Sequence, residues 1–557
     1  MQKQCKACTK SFEIIEADLV FYKEISPVFN GDKFLIPAPQ LCPACRFQRR
    51  LLFRNERHLY HRKSDLSGKA IISMFSPDKS LKVYDQEEWW GDAWDGLEYA
   101  REFDFSRSFF DQFFDLYRQV PHASLYTNNA ENSYYTNFTL NFKNCYLVSG
   151  GANCEDCFFS HFIKNCRTSL DLSSVDDSEL CYEGVASSGC YNCKFFVNSR
   201  NCSDCLMIED CIGCKNCIGC FGLRRKEYYI FNEFVGKEKY EQFKAQYESL
   251  DEGKIQFLRG KLQDLKTKSP HIQSHIYASE DCTGDMILNS KNCHYAFDVS
   301  QSEDSKYLNY SPKARNSYDC TFNAPDGVEN CYNVCSTVGS VNCISTFLCW
   351  YGENIRYSIE TAYSQNLFGC VGLKRKEYCI LNKQYTKEAY EALMPKIIEY
   401  MQKIGEWSEF FPPKYSPFAY NESIAQEYFP LSKEEAIKLS YSWQETPLVY
   451  EYQAPKKSVP LTIKDVDEGI LNQILICEMC SKLYKIIAQE FAFYQTMGLP
   501  IPKQCVDCRH KARLANRNPR FLWERQCVQC DISIQTNYAP DRPEKVLCEV
   551  CYLKEVY

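Results

Sequence analysis

Near the two ends of the chain twelve cysteines stand in the spacing C-x2-C, and they fall into three sets of four: Cys5, Cys8, Cys42 and Cys45; Cys477, Cys480, Cys505 and Cys508; Cys527, Cys530, Cys548 and Cys551. Two such knuckles brought together supply four thiolates at tetrahedral geometry, the donor set of structural zinc. Three zinc ions are expected. With sulfur at every ligand position no place is left for a water or a substrate, so this chemistry holds a shape rather than catalysing a reaction.

Each of the first two sets runs directly into a stripe of arginines: Arg46, Arg50, Arg54 and Arg57 after Cys45, and Arg509, Arg513, Arg517 and Arg520 after Cys508. Spacings of four, four and three put each stripe on one face of a helix. One reading is a phosphate-binding ridge beside a zinc ribbon, which would make RNA, DNA or a nucleoprotein the partner. The other is pairing with acidic protein surface, for instance the run Asp85-Gln86-Glu87-Glu88.

The elements that carry these residues are copies of each other. CKACTKSFEIIEADLVFY (Cys5 to Tyr22) aligns with CEMCSKLYKIIAQEFAFY (Cys477 to Tyr494), the N-terminal copy being nine residues longer before its second knuckle. From Cys45 and Cys508 onward the two align without a gap, and Cys527, Cys530, Cys548 and Cys551 fall opposite Ser64, Ser67, Asp85 and Glu88. The N-terminal module is therefore expected to hold a second ribbon without metal, with Trp89 and Trp90 as a substitute packing centre. The string CEMCSKLYKIIAQEFAFYQTMGLPIPKQCVDCRHKARL resembles a zinc-ribbon family of uncharacterised bacterial proteins, and the whole layout resembles large cysteine-rich proteins of uncultivated bacterial lineages. The resemblance implies zinc and small β-rich ribbons at both ends of the chain, and no substrate.

Between the modules the chain divides into twelves. From Asn144 it reads NCYLVSGGANCE, DCFFSHFIKNCR, TSLDLSSVDDSE, LCYEGVASSGCY, NCKFFVNSRNCS, DCLMIEDCIGCK, NCIGCFGLRRKE, and a looser series ends 150 residues later in NLFGCVGLKRKE. Short strands, a fixed polar turn residue and stacked small residues predict a duplicated parallel β-helix, read as right-handed because the six-residue signature of left-handed coils is absent. Phe158, Phe159, Leu170, Phe195, Phe196, Leu206 and Met207 stand in strand positions and need room, which favours two twelves per coil over one. The run Cys211, Cys214, Cys217 and Cys220 resembles an iron–sulfur ligand series, but the repeat already explains Cys214 and Cys217 as ladder members. The twin strings read as last coils leading into capping helices.

At 557 residues the chain requires several domains, and 45% hydrophobic residues with 15% aromatics mark it as folded. Residues 1–95 are expected to form a zinc ribbon plus a metal-free ribbon, 96–120 a helical cap and 121–235 the first array. A helical connector follows at 236–270, the second array at 271–383, a cap and linker at 384–470, and the double zinc ribbon at 471–557. The net charge of −7 excludes a surface basic all over, so any nucleic-acid contact must be local. MQKQCKACTK has no apolar leader and no run of 18 apolar residues occurs, so a cytoplasmic chain with reduced thiols is expected. The leading functional reading is a non-enzymatic zinc-binding scaffold or adaptor. The alternatives are a carbohydrate-active or other enzyme on an array face, with Asp171, Asp176, Asp177 and Glu183 as the available carboxylates, and metal storage or redox work by the ladder thiols.

Overall fold

In the computed structural model, which describes residues 1–323, 325–445 and 459–556, the protein is mainly β with many parallel strands and some helices. Two large sheets hold twelve and thirteen strands. From Asn129 to Phe231 every third residue has positive φ, and the same beat runs from Met286 to Phe322 and again from Gly327 to Leu381. A left-handed residue at every third position turns the chain four times in each twelve. Asn, Asp and Gly take many of these places, since they adopt that conformation at least cost.

Strand partners lie twelve residues apart: Ser149 with His161, His161 with Ser173, and Ser173 with Val185. This corrects the expectation of twenty-four per coil, whose premise was that the bulky residues face inward. Only Phe196 joins the interior row of cysteines; Phe158, Phe159, Leu170, Phe195, Leu206 and Met207 turn outward, into a core shared with the helix Glu252–Lys268 and with the C-terminal module. The interior itself is narrow and takes thiols and hydroxyls. Cys166 Sγ donates to the Lys164 carbonyl at 3.4 Å, and Ser178 Oγ, next in the same row, to the Asp176 carbonyl at 2.8 Å. Outside, a ladder of amides runs from Asn129 through Asn141, Asn153 and Asn165 to Asp177 at 2.7–3.1 Å per step. In the second array the fourteen-residue unit shifts the register once, from Glu303 opposite Arg315 to Ala314 opposite Val328, after which Val328 meets Ser340 and the twelve resumes.

The chain folds into two compact units, and they cross the order of the sequence. Unit 1 takes Met1–Leu125, Ser274–Gln444 and Arg520–Leu522, so the N-terminal module accompanies the second array. Unit 2 takes Tyr126–Gln273, Glu445–Pro519 and Trp523–Tyr557, so the C-terminal module accompanies the first. The segment expected to cap the first array therefore serves the second: the helix Phe109–Tyr117 sets Phe109 against Tyr357 and Phe368. The connector helix Glu252–Lys268 covers a flank of the first array through Ile255, Leu258 and Leu262 rather than its end. Of the cap and linker expected at 384–470, residues 446–458 lie outside the described residues.

Both twin strings end their parallel ladder in the same way. Glu227–Ile230 pairs antiparallel with Glu233–Phe234, and Glu377–Ile380 with Lys383–Gln384. The two-residue loops Phe231-Asn232 and Leu381-Asn382 have positive φ at both positions, as a type I′ hairpin turn requires. Each asparagine amide then completes the last rung: Asn232 accepts from Phe221 N at 2.9 Å and donates to Phe221 O at 2.8 Å, and Asn382 does the same for Val371 at 2.8 and 2.8 Å.

Candidate metal centres and the docking of the ribbon modules

The three cysteine sets converge as the spacing predicts, with each set's Sγ atoms within 4.8 Å of one another. Pairs across the knuckles lie at 3.7 Å (Cys8 and Cys42), 3.6 Å (Cys480 and Cys505) and 3.8 Å (Cys530 and Cys548). A tetrahedral ion with bonds of about 2.3 Å to sulfur sets its ligands about 3.8 Å apart, so the residues fit such a group. Backbone amides aim at the sulfurs: Cys42 N at Cys5 Sγ and Cys548 N at Cys527 Sγ, both 3.3 Å. The thiols of each set are shifted in opposite directions: burial pushes Cys8, Cys505 and Cys551 up, while other members are drawn down. The Cys45 thiol beside it draws Cys42 down to about 5; at Cys477 and Cys527 burial is outweighed by backbone N–H donors, and both fall to about 6. All 34 cysteines are free of disulfides.

The fourth constellation has no such set. Ser64 and Glu88 hydrogen-bond to each other, and Trp89 is fully buried beside them while Trp90 lies at the surface. Trp89 thus packs as expected, and Trp90, though exposed on one side, lies edge-on to Trp89 at 4.9 Å and to Trp350 at 5.6 Å. Cys211, Cys214, Cys217 and Cys220 stand in the buried interior rows with the other thiols of the array, and donate to the carbonyls of Glu209, Ile212, Lys215 and Ile218, each two residues back.

The arginine stripes are committed inside their own units. Arg46 Nε meets Asp319 Oδ2 at 2.8 Å and Arg50 Nη1 meets Asp319 Oδ1 at 3.2 Å. Arg513 Nη1 meets Asp171 Oδ1 at 2.6 Å, and Arg509 Nε lies 3.1 Å from Asp171 Oδ2 without hydrogen-bond alignment. Arg54 pairs with Glu56 and Ser336, Arg57 stands 3.9 Å from Glu427, Arg517 donates to Ser174 at 2.7 Å, and Arg520 reaches Asp298 at 2.5 Å. Burial alone would pull the Arg46 and Arg509 guanidiniums down; Asp319 together with Tyr22, Tyr332 and Tyr307, and Asp171 together with Tyr494, Glu490 and Tyr182, offset it, and both stay above the ordinary arginine value. Of the two readings, the contacts seen are those of pairing within the protein: Arg46 and Arg50 face Asp319, and Arg509 and Arg513 face Asp171, carboxylates of the arrays rather than of the run at 85–88.

These two docking sites are the same site built twice. Asp171 stands at position four of the unit that begins at Thr168, and Asp319 at position four of the fourteen-residue unit that begins at Asn316, both with positive φ. Arg513 Nε donates to Ser173 Oγ at 3.2 Å, as Arg50 Nε does to Thr321 Oγ1 at 3.2 Å. Arg509 stacks over Phe159 at 5.1 Å and Arg46 over Tyr307 at 5.0 Å, each aromatic twelve residues before its aspartate. Tyr494 meets Tyr182 edge-on, and Tyr22 meets Tyr332. Sequence reasoning saw Asp171 only as a loop carboxylate and missed Asp319; their shared place in the repeat frame was the available signal. The other carboxylates of that stretch do not converge: Asp177 ends the amide ladder and Glu183 lies 3.6 Å from Arg259, its carboxyl pushed up by burial.

No protein-family model matches the sequence. No curated protein matches it either. Among solved structures, one described as a "putative acetyltransferase from Desulfovibrio desulfuricans G20" aligns over 50% of this chain and 80% of its own, at 8% identity and a TM-score of 0.10. A likeness that slight carries no argument about fold or activity. Among the described residues no helix is long and apolar enough to cross a membrane.

Proposed function

We propose that the chain is a non-enzymatic scaffold in which two parallel β-helices, each of one twelve-residue coil per turn, are locked to ribbon modules held by three structural zinc ions. Zinc is the metal favoured by all-sulfur ligand sets at tetrahedral spacing, and a closed set leaves no open position for chemistry. One observation carries the scaffold reading: the charged side chains singled out as chemical candidates are spent on holding modules to arrays, twice and in the same way, at Asp171 and at Asp319. An adaptor role toward RNA, DNA, a nucleoprotein or another protein then belongs to surfaces other than the arginine stripes.

Native mass spectrometry with metal analysis of the purified chain tests this. Three zinc ions per chain are expected. Iron, copper or a larger metal load would move function to the thiols of the arrays and sink the scaffold reading. Nucleic acid recovered from the same sample, released steeply as salt rises, would identify the partner class.

A further inference from the structure

The second half of each ribbon module invites a bond-by-bond comparison. Tyr60–Lys63 pairs with Ala70–Ser73 in the register Tyr60 to Ser73, and Trp523–Gln526 pairs with Ser533–Thr536 in the register Trp523 to Thr536. The knuckle turns superpose in their hydrogen bonds. Ser64 N donates to Lys69 O at 2.8 Å and Gly68 N to Ser64 O at 2.9 Å; Cys527 N donates to Ile532 O at 2.9 Å and Asp531 N to Cys527 O at 2.9 Å. Gly68 and Asp531 both take positive φ. The second knuckle is drawn to the first by one amide in each case: Asp85 N to Ser64 Oγ at 3.3 Å, and Cys548 N to Cys527 Sγ at 3.3 Å.

Only the centre differs. Four sulfurs converge in one ribbon. In the other the Ser64 hydroxyl donates to Glu88, whose Oε2 also accepts from Asp85 N at 3.3 Å, while Leu66 N donates to Ser64 Oγ at 3.2 Å. The Ser64 and Ser67 hydroxyls hold the Glu88 carboxyl below its usual range, so it stays an acceptor. The residue after the last position then covers the same corner of each array. Lys374 lies over Trp89 at 5.2 Å and donates to its carbonyl at 2.6 Å; Arg224 lies over Tyr552 at 5.6 Å and donates to its hydroxyl at 2.8 Å.

We propose that Ser64, Ser67, Asp85 and Glu88 are a metal-free substitute for a fourth four-ligand centre, so that the cover over Lys374 holds without an ion of its own while the cover over Arg224 needs one. The second clause rests on zinc binding at the Cys527 set; the first does not.

Three full-length variants test it, read by native mass spectrometry for metal count and by peptide-resolved hydrogen exchange. S64C/S67C/D85C/E88C is expected to bind one zinc more than the parent chain. S64A/E88Q is expected to keep the parent's metal count while Tyr60–Lys63 and Ala70–Ser73 exchange about ten-fold faster, because the hydrogen bonds that replace the ion are gone. C548A/C551A is expected to lose one zinc and to speed exchange in Trp523–Gln526 and Glu227–Ile230. A cysteine variant that folds yet gains no metal, or an S64A/E88Q chain with unchanged exchange, would overturn the substitute. Should the cysteine variant not fold, S64A/E88Q alone decides. An unchanged metal count in C548A/C551A would instead refute the zinc assignment and leave the Ser64 test standing.

Discussion

The two units solve one docking problem with different reserves. In unit 2 the buried Arg509 has two carboxylates, Asp171 and Glu490, the latter also held by the Tyr494 hydroxyl at 2.6 Å. In unit 1 the residue in Glu490's place, Asp18, is paired instead with Lys306 at 2.8 Å, and Arg46 and Arg50 share Asp319 alone. The position of Lys306 in the first array is taken by Phe158, an apolar neighbour. A duplicated interface has therefore kept its central aspartate and redistributed the charges around it. The difference is instructive because removing one partner of a buried pair costs far more than the pair itself contributes.

The largest expected effect follows from that. Asp319→Ala strands two buried guanidiniums and should destabilise the N-terminal module's docking by about 3–5 kcal/mol. Asp171→Ala should cost clearly less, because Glu490 still faces Arg509. Hydrogen exchange in Pro43–Leu51 and Val506–Ala515 measures the two directly. Equal losses would mean that Glu490 does not compensate, and the comparison between the units would fail.

A smaller effect is expected at the ends of the arrays. Asn382 is fully buried and donates to Gly96 O at 2.9 Å as well as closing the Val371 rung, whereas Asn232 is half-buried and closes Phe221 alone. Asn382→Ala leaves buried backbone groups unpaired and should cost about 1–3 kcal/mol, with Asn232→Ala at or below the lower end because water reaches its rung. Denaturation followed by exchange at Glu377–Ile380 and Glu227–Ile230 would rank them, and the reverse order would contradict this account of the caps.

Much of this was legible in the sequence because it is local. Knuckle spacing, the frame of twelve, and the terminating role of the twin strings all lie within one turn or one repeat. The coil size was misread for a physical reason: with a left-handed corner at every third residue, Phe159, Phe195 and Met207 sit on corners and point outward, where a strand rule would place them inside. The crossed pairing of modules and arrays was not legible at all. It depends on Asp171 and Asp319 meeting arginines hundreds of residues away, and a lone aspartate in a polar turn carries no mark of its partner. The nearest acidic run misled, since the Asp85 carboxylate pairs with Lys69 at 3.5 Å and that of Glu88 accepts from the Ser64 hydroxyl, neither meeting an arginine of the stripes.

The interior rows offer the finest comparison. The first array fills its position-eleven row with Cys154, Cys166, Cys190, Cys202 and Cys214, with Ser178 between them, whereas the second sets Ser290, Ser302, Ser340 and Ser364 in its corresponding row. Either side chain donates to the carbonyl two residues back, and the serine also accepts from the next rung: Cys190 N donates to Ser178 Oγ at 3.1 Å, and Ser302 N to Ser290 Oγ at 3.2 Å. A hydroxyl is therefore satisfied where it replaces a thiol, and the usual penalty for burying a polar group does not arise. Cys190→Ser should change the stability of unit 2 by only about 1 kcal/mol, because the new hydroxyl finds the same kind of donor and acceptor that Ser178 already uses. Cys190→Val, about one methyl group larger and unable to donate or accept, should cost more, through overpacking and the lost hydrogen bond together. If serine proved as damaging as valine, the sulfur of the first array would be doing something that the hydroxyls of the second do not.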